Sequence, residues 1–396
     1  MRIVLLCESF PSDMGYLNTM LPKYLARAGA EVHVVALDLP PYHRATDWNG
    51  APASFFTSQV SPAGSVLQRD GYVVHVLAHG LIGRHAYARG LARCLAEIEP
   101  DVVYATAAVG ALPLQAAFAR VRTRFKLFTG NHTSAQAFPL ARSADPSVRA
   151  RLQSLAARWL PGRAVSLLSE RCYCRTQGCA DIAARYFGVQ ARKLSVVPLG
   201  VDTGLFFPCN DDATHRRRAE LRAALGFGRS DVVCINTGRM LASKDLSLLT
   251  AAVARLRNEG LPCSALFIGD GPERARLEAA PHCVLLPFRP HRELADYYRA
   301  ADVAVWPAGE SISMFDAAAC GLPLVVSDQI DAHLHGHGLT FRQHDLTQLC
   351  AALRTLADAD TRGAMGAIGA RWVLEHQSWS RAASIRLGDF EQALHD

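Results

Sequence analysis

No apolar run in this 396-residue chain approaches the roughly 20 residues that a membrane-spanning helix needs. The opening stretch, MRIVLLCESFPSDMG, is a poor secretory leader, because its apolar run is short and Glu8 and Asp13 follow at once. A cytoplasmic location is therefore expected. No Gly-x-Gly-x-x-Gly follows the first expected strand, where Gly15 stands alone, and this argues against a dinucleotide oxidoreductase. No basic run is interleaved with aromatics, so nucleic acid is not an expected partner. Internal repeats and low-complexity tracts are absent as well.

Cysteine is not scarce, but its pattern excludes more than it offers. Eleven cysteines, an odd number, fit free buried thiols in a reducing compartment. Cys172, Cys174 and Cys179 cluster without a clear fourth ligand or paired Cys-x2-Cys units, and they read as structural. The tract His333, His335, His337 has a metal-binding look but no further ligands beside it, and reads as a loop.

What is present is ordinary globular material, 50% apolar and 20% charged. The length suggests about two to three domains. Net charge is +6, carried almost wholly by arginine. Basic groups occur at Arg84/Arg89/Arg93, at Arg149/Arg151/Arg158/Arg163 and at Arg216-Arg217-Arg218. They are either solvated surface or a face for an anionic substrate or membrane.

Two α/β halves are expected. In the first, strands at 3–7, 31–37, 72–77, 102–105 and 126–129 alternate with helices at 19–28 and 85–98, and 165–168 is buried as strand or helix. A helix at 211–225 follows the domain boundary near 204–212. The second half has strands at 232–237, 263–268, 284–286, 303–306 and 324–326, with helices at 247–259, 273–279 and 293–301. The tail from 346 is helical, with breaks near 363–369 and 378. The alternation implies parallel sheets with right-handed crossovers, and ligand sites at the carboxyl ends of the strands.

Residues 306–328, WPAGESISMFDAAACGLPLVVSD, carry the most chemistry. Glu310 opens a Ser-rich turn rich in backbone donors at a helix start, which suits an anion. Asp316, on the small-residue helix that follows, can accept hydrogen bonds from sugar or ribose hydroxyls. Upstream, Gly238-Arg239 and Lys244 follow a strand directly. The glycine allows a sharp turn, and the two cations suit the two phosphates of a nucleoside diphosphate whose leaving group gains charge. Gly269-Asp270-Gly271-Pro272 makes another tight strand-to-helix turn, and Pro287-Phe288 follows the next strand. In the first half, His132 in Gly130-Asn131-His132-Thr133 sits at a strand's carboxyl end, with Asn131 beside it to orient it.

These segments resemble retaining glycosyltransferases of the GT4 type, also called glycosyl transferases group 1. The likeness is close over 194–328, including the linker VVPLGVDTGLFFP, and distant over 1–165. The resemblance implies the GT-B fold, an α/β class in which two doubly wound Rossmann-like domains face a central cleft. Residues 1–203 would form the acceptor domain, completed by a C-terminal helix at 380–396, and 204–379 the nucleotide-sugar donor domain. It also implies that Arg239 and Lys244 bind the donor diphosphate, that no metal or other cofactor is required, and that His132 contacts the donor sugar. Gly15 and Gly238 would approach the phosphates, Gly271 and Pro287 the base. Amides of Ser311, Ile312, Ser313 and Met314 would face the phosphates and sugar, and Asp316 the ribose.

One departure stands out. The family pattern is Glu-x7-Glu, with the second carboxylate just before Ala-x-Ala-Cys-Gly-x-Pro. Asp316 takes the second place, but the first falls on Ala308, and Glu310 comes two residues late. Either a shortened turn lets Glu310 serve, or a donor-sugar contact is lost. Asp245 also replaces a common glycine. Glu8, at the end of the first strand, is not required as a nucleophile by a front-face mechanism.

The expected activity is transfer of a sugar from a UDP- or GDP-type donor to a glycan, lipid-linked or other hydroxyl acceptor, with peripheral contact at the inner membrane face and a place in surface polysaccharide assembly. The alternatives are a catalytically silent nucleotide-sugar-binding subunit, a GT-B epimerase and a sugar phosphorylase.

Overall fold

The computed structural model describes the chain except residues 13, 41–59, 84, 134–137, 144–146 and 331–333. It divides into two compact units. The first takes in the described residues of 1–200 and regains the chain at Trp379–Asp396, and the second holds 201–378. The chain thus leaves the first unit at Gly200–Val201, slightly before the expected 204.

The first unit is built on an eight-stranded sheet. Its strands are β1 (Arg2–Leu6), β2 (Glu31–Leu37), β3 (Val66–Arg69), β4 (Tyr72–Leu77), β7 (Val102–Ala105), β8 (Lys126–Asn131), β9 (Cys172–Cys174) and β10 (Leu194–Val196). A separate hairpin pairs β5 (His79–Ile82) with β6 (His85–Ala88). The sheet order is β10-β9-β8-β7-β1-β2-β4-β3, parallel except for the β3–β4 edge. Strands such as VVYA in β7 are apolar throughout, as burial on both faces demands. One layer of the core brings Leu21 and Leu25 of helix Leu17–Arg27 and Trp379 and Phe390 of helix Trp379–His395 onto Val34, Val74 and Tyr173.

The second unit is a six-stranded parallel sheet. It comprises β11 (Val232–Thr237), β12 (Cys263–Ile268), β13 (Cys283–Leu286), β14 (Val303–Trp306), β15 (Leu324–Ser327) and β16 (Gly338–Phe341). The order β13-β12-β11-β14-β15-β16 is the Rossmann arrangement, whose chain direction across the sheet reverses between β11 and β14. Arg217 and Arg218 have partners within this unit. Arg218 donates to Asp302 Oδ1 (2.6 Å) and Arg217 to Asp296 (3.4 Å), and Arg222 meets Asp302 Oδ2 (2.8 Å), so these cations tie helix Asp212–Ala224 to its own unit.

Several expectations are corrected. Residues 85–98 are not one helix. The hairpin strand β6 comes first, then Gly90 in the left-handed region (φ +80), then helix Leu91–Ile98. Residues 165–168 are helical, within Leu160–Leu168. No break occurs at 363–369, because helix Ala359–His376 runs straight through. Its glycines answer to packing: a side chain at 366 would overlap the Gly321 carbonyl, and one at 369 would press on His337. Strands β3, β5, β9 and β16 went unforeseen, being short or at sheet edges.

Candidate active site

In the second unit the expected donor residues gather where the strand order reverses. β11 ends at Thr237, and Gly238 turns the chain with φ +134. Arg239 follows, exposed, and a single turn, Ala242–Lys244, brings Lys244 back. Asp245 then takes φ +50, the left-handed backbone that favours glycine, and this accounts for the residue that resembling enzymes carry there. From the neighbouring strand β14, Pro307 and Ala308 lead into Gly309. Lys244 Nζ donates to the carbonyls of Gly309 and Glu310, each at 3.1 Å. Burial, and then the charge of Arg239, pulls the Lys244 pKa down to about 8, against the opposing pull of Glu310. Arg239, Lys244 and Glu310 therefore form one electrostatic cluster at the carboxyl ends of β11 and β14.

Gly271 stands beside this cluster for a steric reason. A side chain at Gly269 would overlap the Gly238 carbonyl, and one at Gly271 the Met240 carbonyl. Met240 N–H donates to Asp270 O (2.8 Å) and Gly238 N–H to Ile268 O (2.9 Å). The glycine turn after β12 thus clamps the Arg239 loop. Pro287 follows β13 directly and is exposed.

Ala308 is buried, and Glu310 is exposed. Ser311 and Ser313 share a hydroxyl hydrogen bond of 2.6 Å, and Ile312 separates them ahead of helix Ser313–Ala319. The Met314 amide is turned inward to Ser311 O (3.3 Å). Asp316 is buried, and His291 Nε2 lies 3.1 Å from its Oδ2. His291 rests against Phe206 (ring centroids 4.7 Å apart), which gives the linker aromatic a contact within this unit.

In the first unit the corresponding reversal lies between β1 and β7. Glu8 follows β1, and its Oε1 lies 4.0 Å from where a Cβ on Gly110, just after β7, would stand. Gly15 comes just before helix Leu17–Arg27. His132 follows β8. Both its ring nitrogens are shielded from solvent and lack a hydrogen-bond partner, although the residue as a whole is half-buried. Burial, then the charges of Arg386 and Arg175, pulls its pKa down to about 3, which leaves a neutral imidazole. Asn131 makes no hydrogen bond to the ring. It donates to Cys179 O (2.8 Å) and accepts from the Thr133 amide (3.3 Å), bracing the backbone on either side.

Cys172, Cys174 and Cys179 are buried thiols, and no cluster of three or more metal-ligating side chains occurs among the described residues. His335 and His337 stack on Trp372, with centroids 4.8 and 5.7 Å away, and His333 lies outside the described residues.

Residues 18–205 match Glycosyltransferase Family 4, and residues 231–359 match Glycosyl transferases group 1. The chain belongs to glycosyltransferase family 4. Among curated relatives, the D-inositol 3-phosphate glycosyltransferase of Segniliparus rotundus is 30% identical over 57% of this chain and 53% of its own length. The match therefore spans about half of that relative. The GDP-mannose-dependent alpha-(1-6)-phosphatidylinositol monomannoside mannosyltransferase of Mycobacterium tuberculosis is 26% identical over 98% of this chain and 97% of its own. In fold, HepE of Anabaena in complex with UDP and glucose matches with TM-score 0.68 at 16% identity, covering 99% of this chain and 100% of that one. Sucrose-phosphate synthase of Thermosynechococcus elongatus matches with TM-score 0.68 at 18% identity, covering 100% and 99%. The two Rossmann-like units are those of the GT-B fold.

Two residues of this family 4 chain were missed by sequence reasoning. His291 gave no signal, because a histidine between a proline and a charged turn reads as surface. Arg386 did give one. It occupies a core position in the buried series Trp379, Ala382, Ala383, Phe390, Ala393 of the last helix. It is fully buried over the Tyr173 ring (4.8 Å), with Nε and Nη2 unpartnered.

Proposed function

We propose that the chain transfers a sugar from a nucleoside diphosphate sugar to a hydroxyl acceptor with retention of configuration. The observation that carries this reading is Lys244 seated on the Gly309 and Glu310 carbonyls beside Arg239. Two cations converge there on the place where an α/β sheet binds phosphate. In the reaction, the bond from the anomeric carbon to the diphosphate oxygen breaks as a bond to the acceptor oxygen forms on the same face. The departing phosphate oxygen takes the acceptor's proton. Arg239 and Lys244 stabilise the charge that grows on the leaving group, a task that elsewhere falls to a divalent cation. Neutral His132 adds no positive charge at the sugar and can accept or donate a hydrogen bond to one of its hydroxyls.

The relatives named above support a UDP or GDP sugar as donor and a lipid-linked or phosphorylated polyol as acceptor, met at a membrane face. A thermal-shift panel of UDP, GDP and ADP tests the donor class, since a ligand of the native state raises apparent stability. Release of nucleoside diphosphate that requires an acceptor and persists in EDTA tests transfer and metal independence. Release without an acceptor, or none at all, counts against the reading.

A second reading rests on buried Ala308 at the first carboxylate position. In it the chain binds nucleotide sugar without turning it over. Binding with neither transfer nor donor hydrolysis, across several donors, selects that reading.

A further inference from the structure

Between Ala111 and Ser169 the chain has a single acidic residue, Asp145, against eight arginines and Lys126. Much of this segment is helical. Helix Val148–Ser154, capped by the Ser147 side chain, continues through a wide turn, Leu155–Trp159, into helix Leu160–Leu168. In the wide turn Leu160 N–H donates to Leu155 O, and Pro161, with no N–H to offer, lies just beyond it.

From 147 to 158 every residue is exposed except half-buried Ala150 and buried Ser154. A helix of that length with so little packing is marginal in water. Its apolar residues are not scattered. Val148, Leu152 and Leu155 fall at i, i+4 and i+7 on one face, with Val148 72% and Leu152 60% exposed. Arg149 and Arg151 are exposed alongside them. The neighbouring helix Ala111–Arg120 packs on Leu160–Leu168 and adds Phe118, 65% exposed, and Val121 just after it, 71% exposed. Arg122 and Arg124 follow, also exposed. Arg120 is held by Glu170 at 2.7 Å, and Arg158 lies over the Phe138 ring at 4.9 Å.

We propose that this arginine-flanked apolar stripe is a docking surface for an anionic lipid bilayer. A helix of this composition lies in the interface plane, with leucines in the acyl boundary and arginines reaching up to the lipid phosphates. A second copy of the chain is a poor occupant, because a twofold contact would set two arginine-rich faces against each other. The surface extends the reading above of a lipid-linked acceptor, and its purpose rests on that reading. Bilayer binding itself requires no acceptor.

The test is co-sedimentation of the full chain with phosphatidylcholine vesicles, with and without phosphatidylglycerol, alongside nucleoside diphosphate binding in solution. Partitioning is expected on the anionic vesicles alone. Arg122→Gln with Arg149→Gln should weaken it about fivefold per residue. Leu152→Ser with Leu155→Ser should weaken it roughly tenfold per residue. All of these side chains are exposed, so circular dichroism and nucleotide binding should be unchanged. Equal partitioning on both vesicle types, no partitioning at all, or indifference to the leucine changes overturns the proposal. So does a dimer in light scattering that the leucine changes dissociate. Loss of nucleotide binding in the unaltered chain would instead strike at the transferase reading.

Discussion

His291 Nε2 stands 3.1 Å from Asp316 Oδ2 and holds a buried carboxylate in one orientation. Asp316 occupies the ribose position of the proposed donor site with a side chain one methylene shorter than glutamate, so its direction matters more. His291→Ala is expected to weaken nucleoside diphosphate binding about tenfold, the scale of a lost hydrogen bond to a charged group. His291→Gln should recover most of it. Isothermal titration of UDP and GDP against both variants decides this, and equal affinity in all three proteins would reduce His291 to a packing residue.

Arg239→Ala and Lys244→Ala should each lower turnover about 10²–10³-fold, the cost of removing a charge-stabilising donor. Lys244 also sets a pH limit. With its pKa near 8 it is charged below that pH and neutral above, so diphosphate affinity should fall as pH rises through about 8. The stability effect has the opposite sense. An unfolded lysine keeps its proton up to about 10.5, so this group's contribution to stability rises with pH between 8 and 10.5. Of four lysines, Lys23, Lys126, Lys193 and Lys244, the last should be acylated first at pH 8 and be protected by nucleotide.

Gly309→Ala should displace Lys244. The added Cβ would stand 2.7 Å from Nζ, and φ of +71 is strained for alanine. Nucleotide affinity should drop nearly as far as in Lys244→Ala. Glu310→Ala removes the one charge that raises the Lys244 pKa, so the loss of affinity should begin at lower pH than in the parent protein. A pH series of UDP binding separates the two effects.

His132 predicts an acid weakness. An unfolded histidine takes its proton near 6.5 and the folded one near 3, so stability should decline as pH falls through that interval. His337, pushed by burial to about 4, adds to the loss. His132→Asn should flatten the dependence of the urea midpoint on pH between 6.5 and 4. Arg386→Met should raise the His132 pKa, visible in its ring-proton chemical shift, and a titration left in place would remove Arg386 from this role.

Much of this was legible in the chain, for definable reasons. β2, β4, β7, β11, β12 and β14 are unbroken apolar or alternating runs with turn residues at their ends, and their bounds were read to the residue. The position of Arg239 and Lys244 at the carboxyl end of the sheet was legible because residues directly after a parallel strand lie at that end. The errors arose where long-range packing overrides local preference. Gly366 and Gly369 look like helix breakers until Gly321 and His337 are seen to need the space. The hairpin strand at His85–Ala88 is short enough to imitate a helix turn. His291 and Arg386 act through partners 25 residues or more away, Asp316 and His132, which no spacing rule reaches.

The last helix has a consequence for synthesis. Trp379 and Phe390 are buried in the first unit, and Phe390 lies 4.5 Å from Phe128. That core cannot close until residues 379–390 have left the ribosome, by which time residues 201–378 are already free to fold. A stop codon shortly after residue 378 would therefore spare the Rossmann unit that carries Lys244 while leaving an open apolar wall in the earlier one. Such a truncated chain would keep the proposed nucleotide site and still be a substrate for cellular proteases.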